Sequence, residues 1–236
     1  MPQHELDDLE MTEPGDSPLH GYRGDEALAP TVGVPMGLTI AISREAGSRG
    51  ATIAKRAGEK LGWDVYTQDL LEFIAQDTSV RRDLLTKLPP TANGWIEEQL
   101  GQLVRADVFS QHPAMLDLAR LILALGAQGN VILLGRGGGY VLPSQSTLHV
   151  RLVAPLADRI TYMSQWLRLT DEEAAEQVRQ RDQGRSEFLG THFRRKPSDV
   201  HAYDMVLNSS LLGEERCAEL IAAAAKVKMS AVTGMD

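Results

Sequence analysis

One stretch constrains the fold more than any other: Leu38-Thr-Ile-Ala-Ile-Ser-Arg-Glu-Ala-Gly-Ser-Arg-Gly-Ala-Thr-Ile-Ala54. Leu38 to Ile42 is an apolar, β-branched run and predicts a buried strand. Gly47-Ser48-Arg49-Gly50 then turns the chain. From about Ala51 to Leu61, Ile53, Ala54, Ala57 and Leu61 recur at helical spacing, and Gly62 stops the helix. Strand, glycine turn and helix in immediate succession aim several backbone N–H groups and the positive end of a helix dipole at one point, which suits a phosphate.

Against the Walker A pattern the loop is a partial match. Gly50 and Thr52 occupy two of its last three positions, but Ala51 stands where the pattern asks for lysine and Glu45 where it asks for the first glycine. Arg44 and Arg49 are the nearby cations, and the Thr52 hydroxyl could reach a magnesium ion. An ordinary βα turn, with glycines supplying tight backbone geometry, is the competing reading of the loop taken alone.

The remaining pattern repeats strand and helix. Trp63–Tyr66 predicts a short strand, Gln68 to about Gln76 a helix capped by Thr67, and Ile96–Val108 an amphipathic segment. Residues 77–93, with Pro89-Pro90, predict a loop or short helical pieces. Pro113–Leu125 predicts a buried helix closed by Gly126, and Val131–Leu134 a fully buried strand. Thr147–Ala154 predicts a strand in which His149 and Arg151 alternate with Leu148, Val150 and Leu152. A helix follows from Pro155 to about Leu167, another from Asp171 to about Phe188, a strand at Met205–Asn208, and an Ala-rich helix from Glu214 to about Val227. Alternation of this kind predicts an α/β fold with a parallel sheet and ligands beyond the carboxyl ends of its strands. Gly47–Thr52 and Gly135–Gly139 both follow strands and should converge there. His112, His149 and Cys217 are expected to be structural, and Asp69 a helix-capping residue that could instead contact a ligand.

Charge divides the chain. Residues 1–35 hold eight acids and one base, a net −7 of the chain's −8. They are expected to form a flexible acidic leader ahead of a folded domain over 36–230. The near-neutral remainder argues against nucleic acid as a partner. No run of eighteen apolar residues predicts a membrane span, the N-terminus lacks a signal-peptide pattern, and the single cysteine excludes an internal disulfide. The expectation is a cytoplasmic protein that takes small-molecule nucleotides, with no nucleic acid and no membrane partner. Arginines gather in three places: Arg44 and Arg49, Arg136, and the set Arg179, Arg181, Arg185, Arg194 and Arg195. Such guanidinium groups match phosphate oxygens bidentately. The last set, on a helix with Gly184 as a break, could swing as a lid over about residues 171–200; i,i+4 ion pairs on a solvated face are the plainer reading.

With these features in order, the chain resembles the nucleoside monophosphate kinases, and among them the cytidylate kinase-like group, over about residues 37–228. Ile42–Ala54 is similar to that group's P-loop, which also lacks the lysine. Gly135-Arg-Gly-Gly-Gly-Tyr-Val-Leu-Pro143 resembles its Gly-Arg-Asp-x-Gly-Thr-x-x-x-Pro stretch. Arg181-Asp182 with Arg185 resembles the lid, and Tyr203-Asp-Met-Val-Leu-Asn208 the stretch before the last helix. The resemblance implies a three-layer P-loop NTPase-type fold, a central parallel sheet flanked by helices with a helical lid. It implies transfer of the γ-phosphoryl of ATP, with Mg2+, to a nucleoside monophosphate, (d)CMP first. Gly47, Ser48, Arg49, Gly50 and Ala51 would wrap the ATP phosphates and Thr52 would meet magnesium. Arg136, with Arg44 and Gly137, would form the acceptor site, and Arg49, Arg181 and Arg185 would neutralise the transferring group. Two departures leave alternatives open: Ala51 replaces the lysine, and Gly137 stands where cytidylate kinases carry an aspartate. A nucleotide sensor without turnover, or a kinase of another small acceptor, fits the same residues.

Overall fold

A computed structural model of the chain describes residues 34–108 and 112–233. The expected acidic leader lies outside the described residues except for its last two, and Val34 already packs against the core. Five strands, β1 (Thr39–Arg44), β2 (Asp64–Tyr66), β3 (Val131–Leu134), β4 (Thr147–Val153) and β5 (Met205–Asn208), form one sheet in the order β2-β3-β1-β4-β5. Every pairing is parallel, with Thr39 opposite Val131 on one side and Thr147 on the other. All five carboxyl ends therefore point the same way.

Side-chain alternation splits the core into two layers. Ile40, Ile42, Ile132, Leu134, Leu148, Val150 and Leu152 face helices α1 (Gly50–Leu61) and α9 (Ser209–Thr233). Val131 and Leu133 face the other way, toward α2 (Gln68–Gln76), α4 (Pro90–Arg105) and α5 (Pro113–Gln128). The short helices α3 (Thr78–Thr86) and α6 (Gly138–Val141) complete that layer. A hairpin of α7 (Leu156–Leu167) and α8 (Asp171–Phe193) crosses the carboxyl end of the sheet, packed through Ala46, Met163, Ala174 and Val178. The fold is the expected three-layer P-loop type with a helical cover. Among the described residues, no helix is long and apolar enough to cross a membrane.

Several boundaries differ from expectation. Helix α8 starts at a capping box, Thr170 with Glu173, and runs unbroken through Gly184 to Phe193. Gly184 is thus no break: nothing lies within 4 Å of the side chain it lacks, and the helix tolerates it on an open face. Helix α5 passes through Gly126 and ends at Gly129, whose φ of 66° closes it. Gly126 is there for proximity, since a Cβ would sit 2.3 Å from the Leu142 side chain. The segment read as loop or short pieces holds α3, with Asp77 accepting from the amides of Ser79 and Val80, and the start of α4 at Pro90. Helix α9 begins at Ser209, five residues early, and bends at Gly213, whose φ is 77°.

Candidate active site

The site begins where β1 ends. Gly47 (φ 79°) and Arg49 (φ 60°) bend the chain back so that α1 starts at Gly50. Ser48 is fully buried in this bend, its hydroxyl donating to the Glu45 carbonyl at 2.9 Å. The first helical hydrogen bond is Ile53 N–H to the Arg49 carbonyl. Among the described residues no acceptor in the chain takes the amides of Gly50, Ala51 and Thr52. Three donors at a helix N-terminus are therefore available to an anion.

Arg159 of α7 braces the bend from behind. It is only 8% exposed; its Nε donates to the Ala154 carbonyl at 3.0 Å and its Nη1 to the Ala46 carbonyl at 3.2 Å. Its backbone lies so close that a Cβ on Gly47 would be 2.6 Å from the Arg159 carbonyl oxygen. The same Nη1 meets Asp182 of α8 at 2.5 Å, while the other Asp182 oxygen accepts the Ala46 N–H at 2.7 Å. Bend, α7 and α8 are thus joined by one arginine and one carboxylate.

Beside the bend, under α8, lies a cavity of about 820 Å³. Arg44, Arg136, Arg151, Arg181 and Arg185 line it, against the acids Glu45, Asp69 and Asp182. Burial, then repulsion from Arg185 and Arg136, pulls the Arg44 guanidinium down to about 9. Burial also lowers Arg136 and Arg185, with Arg185 repelling Arg136 and Arg181 repelling Arg185. Five guanidiniums gathered this closely, with acids in contact with only some of them, suit a polyanion. Arg136 pairs with Glu72 and lies over the Phe188 ring at 4.8 Å, yet its buried Nε has no partner. Arg44 donates to Gln68 at 3.3 Å and Arg151 to the Ser43 hydroxyl at 2.9 Å. Tyr140, His149 and Tyr203 form an aromatic wall, with Tyr140 and His149 edge to face and His149 and Tyr203 at 4.6 Å.

Of the expected site residues, the structure brings Arg44, Arg136, Gly137, Arg181 and Arg185 to this cavity and Gly47, Ser48, Gly50, Ala51 and Thr52 to the adjoining bend. Asp69 does line the cavity, in the first turn of α2 after the Thr67 cap. Arg49 is not brought in: its guanidinium lies over the Tyr162 ring at 5.2 Å and 3.9 Å from Glu214. The left-handed φ at Arg49 aims it toward α7 and α9. Thr52 lies beside the Tyr162 phenol, whose pKa burial raises and Thr52 lowers. Arg179 pairs with Glu176 one turn away, as the plainer ion-pair reading has it, and Arg194, just past α8, pairs instead with Asp107 far away in sequence. Gly137 offers no room for the missing aspartate, because a Cβ there would be 2.4 Å from the Phe193 ring.

Sequence reasoning gave no site role to Arg151, Arg159, Asp182 or the aromatic wall. A signal for Arg151 and His149 existed: a strand sandwiched in a parallel sheet should be apolar on both faces, and β4 is polar on one. Nothing local marks Arg159 as part of a site, since the partners that tie it to the bend and to α8 are 113 and 23 residues away.

The chain is similar to a cytidylate kinase from Ignicoccus hospitalis, 25% identical over 77% of this chain and 95% of that protein. It is 29% identical over 72% of its length to a uronate isomerase from Corynebacterium glutamicum, of which it spans only 35%. Among solved structures, an uncharacterized protein from Eubacterium ventriosum superposes with a TM-score of 0.57 at 17% identity, over 80% of this chain and 98% of that one, a likeness of fold. The sequence model of the cytidylate kinase-like family matches residues 39–211, which take in the bend, the cavity and the covering helix, and the chain belongs to that family.

Proposed function

We propose that the chain is a phosphotransferase that uses ATP and Mg2+ to phosphorylate a nucleoside monophosphate, with (d)CMP as the first candidate acceptor. The observation that carries this is adjacency: unclaimed amides at the start of α1 lie beside a cavity lined by five arginines, at the same ends of the strands. One place suits the donor's phosphates and the other an acceptor phosphate, so an in-line transfer needs no large motion between them. The amides of Gly50, Ala51 and Thr52 would hold the donor, and Arg136, through its unpartnered Nε, the acceptor phosphate. Arg181 and Arg185, carried by α8, would cover the group in transit and exclude water.

Among the described residues no group of three His, Cys, Asp or Glu gathers as a metal site. That fits an ion held chiefly by phosphate oxygens, with the Thr52 hydroxyl as the protein's contribution. Magnesium, when bound, would screen charge that lysine screens in other P-loops.

The test is direct. Pure protein with ATP and Mg2+ is offered CMP, dCMP and the other nucleoside monophosphates, and ADP is followed. Turnover with CMP or dCMP is expected, falling about 10²–10³-fold in Arg181→Ala. No ADP with any acceptor, alongside measurable nucleotide binding, would leave the sensor reading, which Ala51 favours. ADP only with some other small acceptor would reassign the substrate, an outcome to which the ring beside Gly137 lends weight.

A further inference from the structure

The carboxylate of Asp182 sits where a phosphate oxygen could sit. One of its oxygens accepts the Ala46 N–H at 2.7 Å and the Arg185 Nη1 at 3.3 Å; the other accepts the buried Arg159 Nη1 at 2.5 Å. A main-chain amide of the bend and two guanidiniums are what a phosphate group recruits. Here the chain supplies its own anion, from the middle of the helix that covers the site. The amides of Gly50, Ala51 and Thr52 stay unclaimed, so the site is only partly filled by its own cover.

We propose that Asp182 is an internal anion that competes with nucleotide phosphates and so sets how tightly this site binds them. In the empty protein it latches α8 to the bend and spends Arg185 on itself. As a polyphosphate settles on the bend, its charge repels the carboxylate and offers Arg185 a stronger partner. Asp182 then gives up the Ala46 N–H and keeps Arg159, and Arg185 turns to the incoming phosphates. The latch lowers affinity while it keeps the cover preformed. Removing its charge should therefore improve binding, the opposite of what loss of a merely structural contact does. This rests on the bend being a polyphosphate site.

Inorganic tripolyphosphate is the probe, titrated calorimetrically into the wild type and into Asp182→Asn, which keeps the shape and loses the charge. The variant should bind about tenfold tighter, the worth of one charge-assisted hydrogen bond returned to the ligand. Equal or weaker binding by Asp182→Asn, with wild-type binding intact, overturns the latch alone. No binding by either protein overturns the polyphosphate reading and the latch with it. Should the variant fail to fold, the wild type decides: at saturation the Ala46 amide proton must move upfield as its short bond to the carboxylate breaks. A downfield shift or none overturns the proposal.

Discussion

Two glycine loops follow neighbouring strands of the sheet, and they use glycine for opposite ends. After β1, Gly47 is forced by the Arg159 backbone behind it, and the chain it bends leaves amides facing outward. After β3, Gly137 and Gly139 are forced by rings in front of them: Phe193 at 2.4 Å and His149 at 2.3 Å from the Cβ each would carry. The first loop is shaped to present backbone. The second is thinned so that aromatic side chains can close in on a cavity. A glycine-rich loop after a strand is therefore not by itself a phosphate cradle; what stands on its open side decides.

The sharpest way to separate the loops is to add one carbon to each. Gly47→Ala meets backbone atoms that cannot yield and sits at a φ of 79°, so it should cost about 3 kcal/mol and abolish tripolyphosphate binding. Gly137→Asp, which puts back the aspartate of the cytidylate kinases, should cost a similar amount, roughly 6–12 °C in Tm, yet leave tripolyphosphate binding nearly intact. Thermal melts and calorimetry read both. If Gly137→Asp loses the binding too, the contrast between the loops is wrong.

A smaller effect tests the charge between them. Arg44 titrates lower in the folded protein than in the unfolded chain, because burial and neighbouring guanidiniums disfavour its charge. The unfolded chain thus holds that proton more tightly. Charged Arg44 costs stability below about pH 9, and the cost fades as pH rises past that value. Arg44→Gln should raise the Tm of the ligand-free protein by about 2–4 °C at pH 7 and lose the gain above pH 9. It should also blunt the stabilisation that phosphate gives the wild type. The least effect belongs to Gly184→Ala, which should stabilise α8 by about 0.5–1 kcal/mol without slowing turnover. Slowed turnover would restore Gly184 as a hinge.

The sheet was legible because buried parallel strands leave a plain mark. Val131–Leu134 and Met205–Asn208 are where the apolar runs put them, and β1 starts one residue later than expected, at Thr39, and extends to Arg44. Helix ends were less so: Gly126 looks like a stop signal, and only the Leu142 side chain pressed against it shows why a glycine lies inside a helix. In the site, Arg44, Arg136, Arg181 and Arg185 were legible because like charges clustered after strands or on one helix have few structural uses. Arg49 was misplaced because its φ, not its position in the loop, decides where it points. Arg159 was invisible, and Asp182 was visible only as part of a lid-like Arg-Asp pair, because their roles exist only when segments far apart in sequence meet.

On one face β1 carries Thr39, Ala41 and Ser43, side chains far smaller than the isoleucines opposite. A Cβ added to Gly138 would lie 3.7 Å from the Ala41 Cβ. Helix α6 can therefore ride low on the sheet, and the floor beneath Tyr140 sinks with it. The headroom available to a guest molecule is thus adjustable from underneath, by a methyl group or two on a strand the guest need never touch.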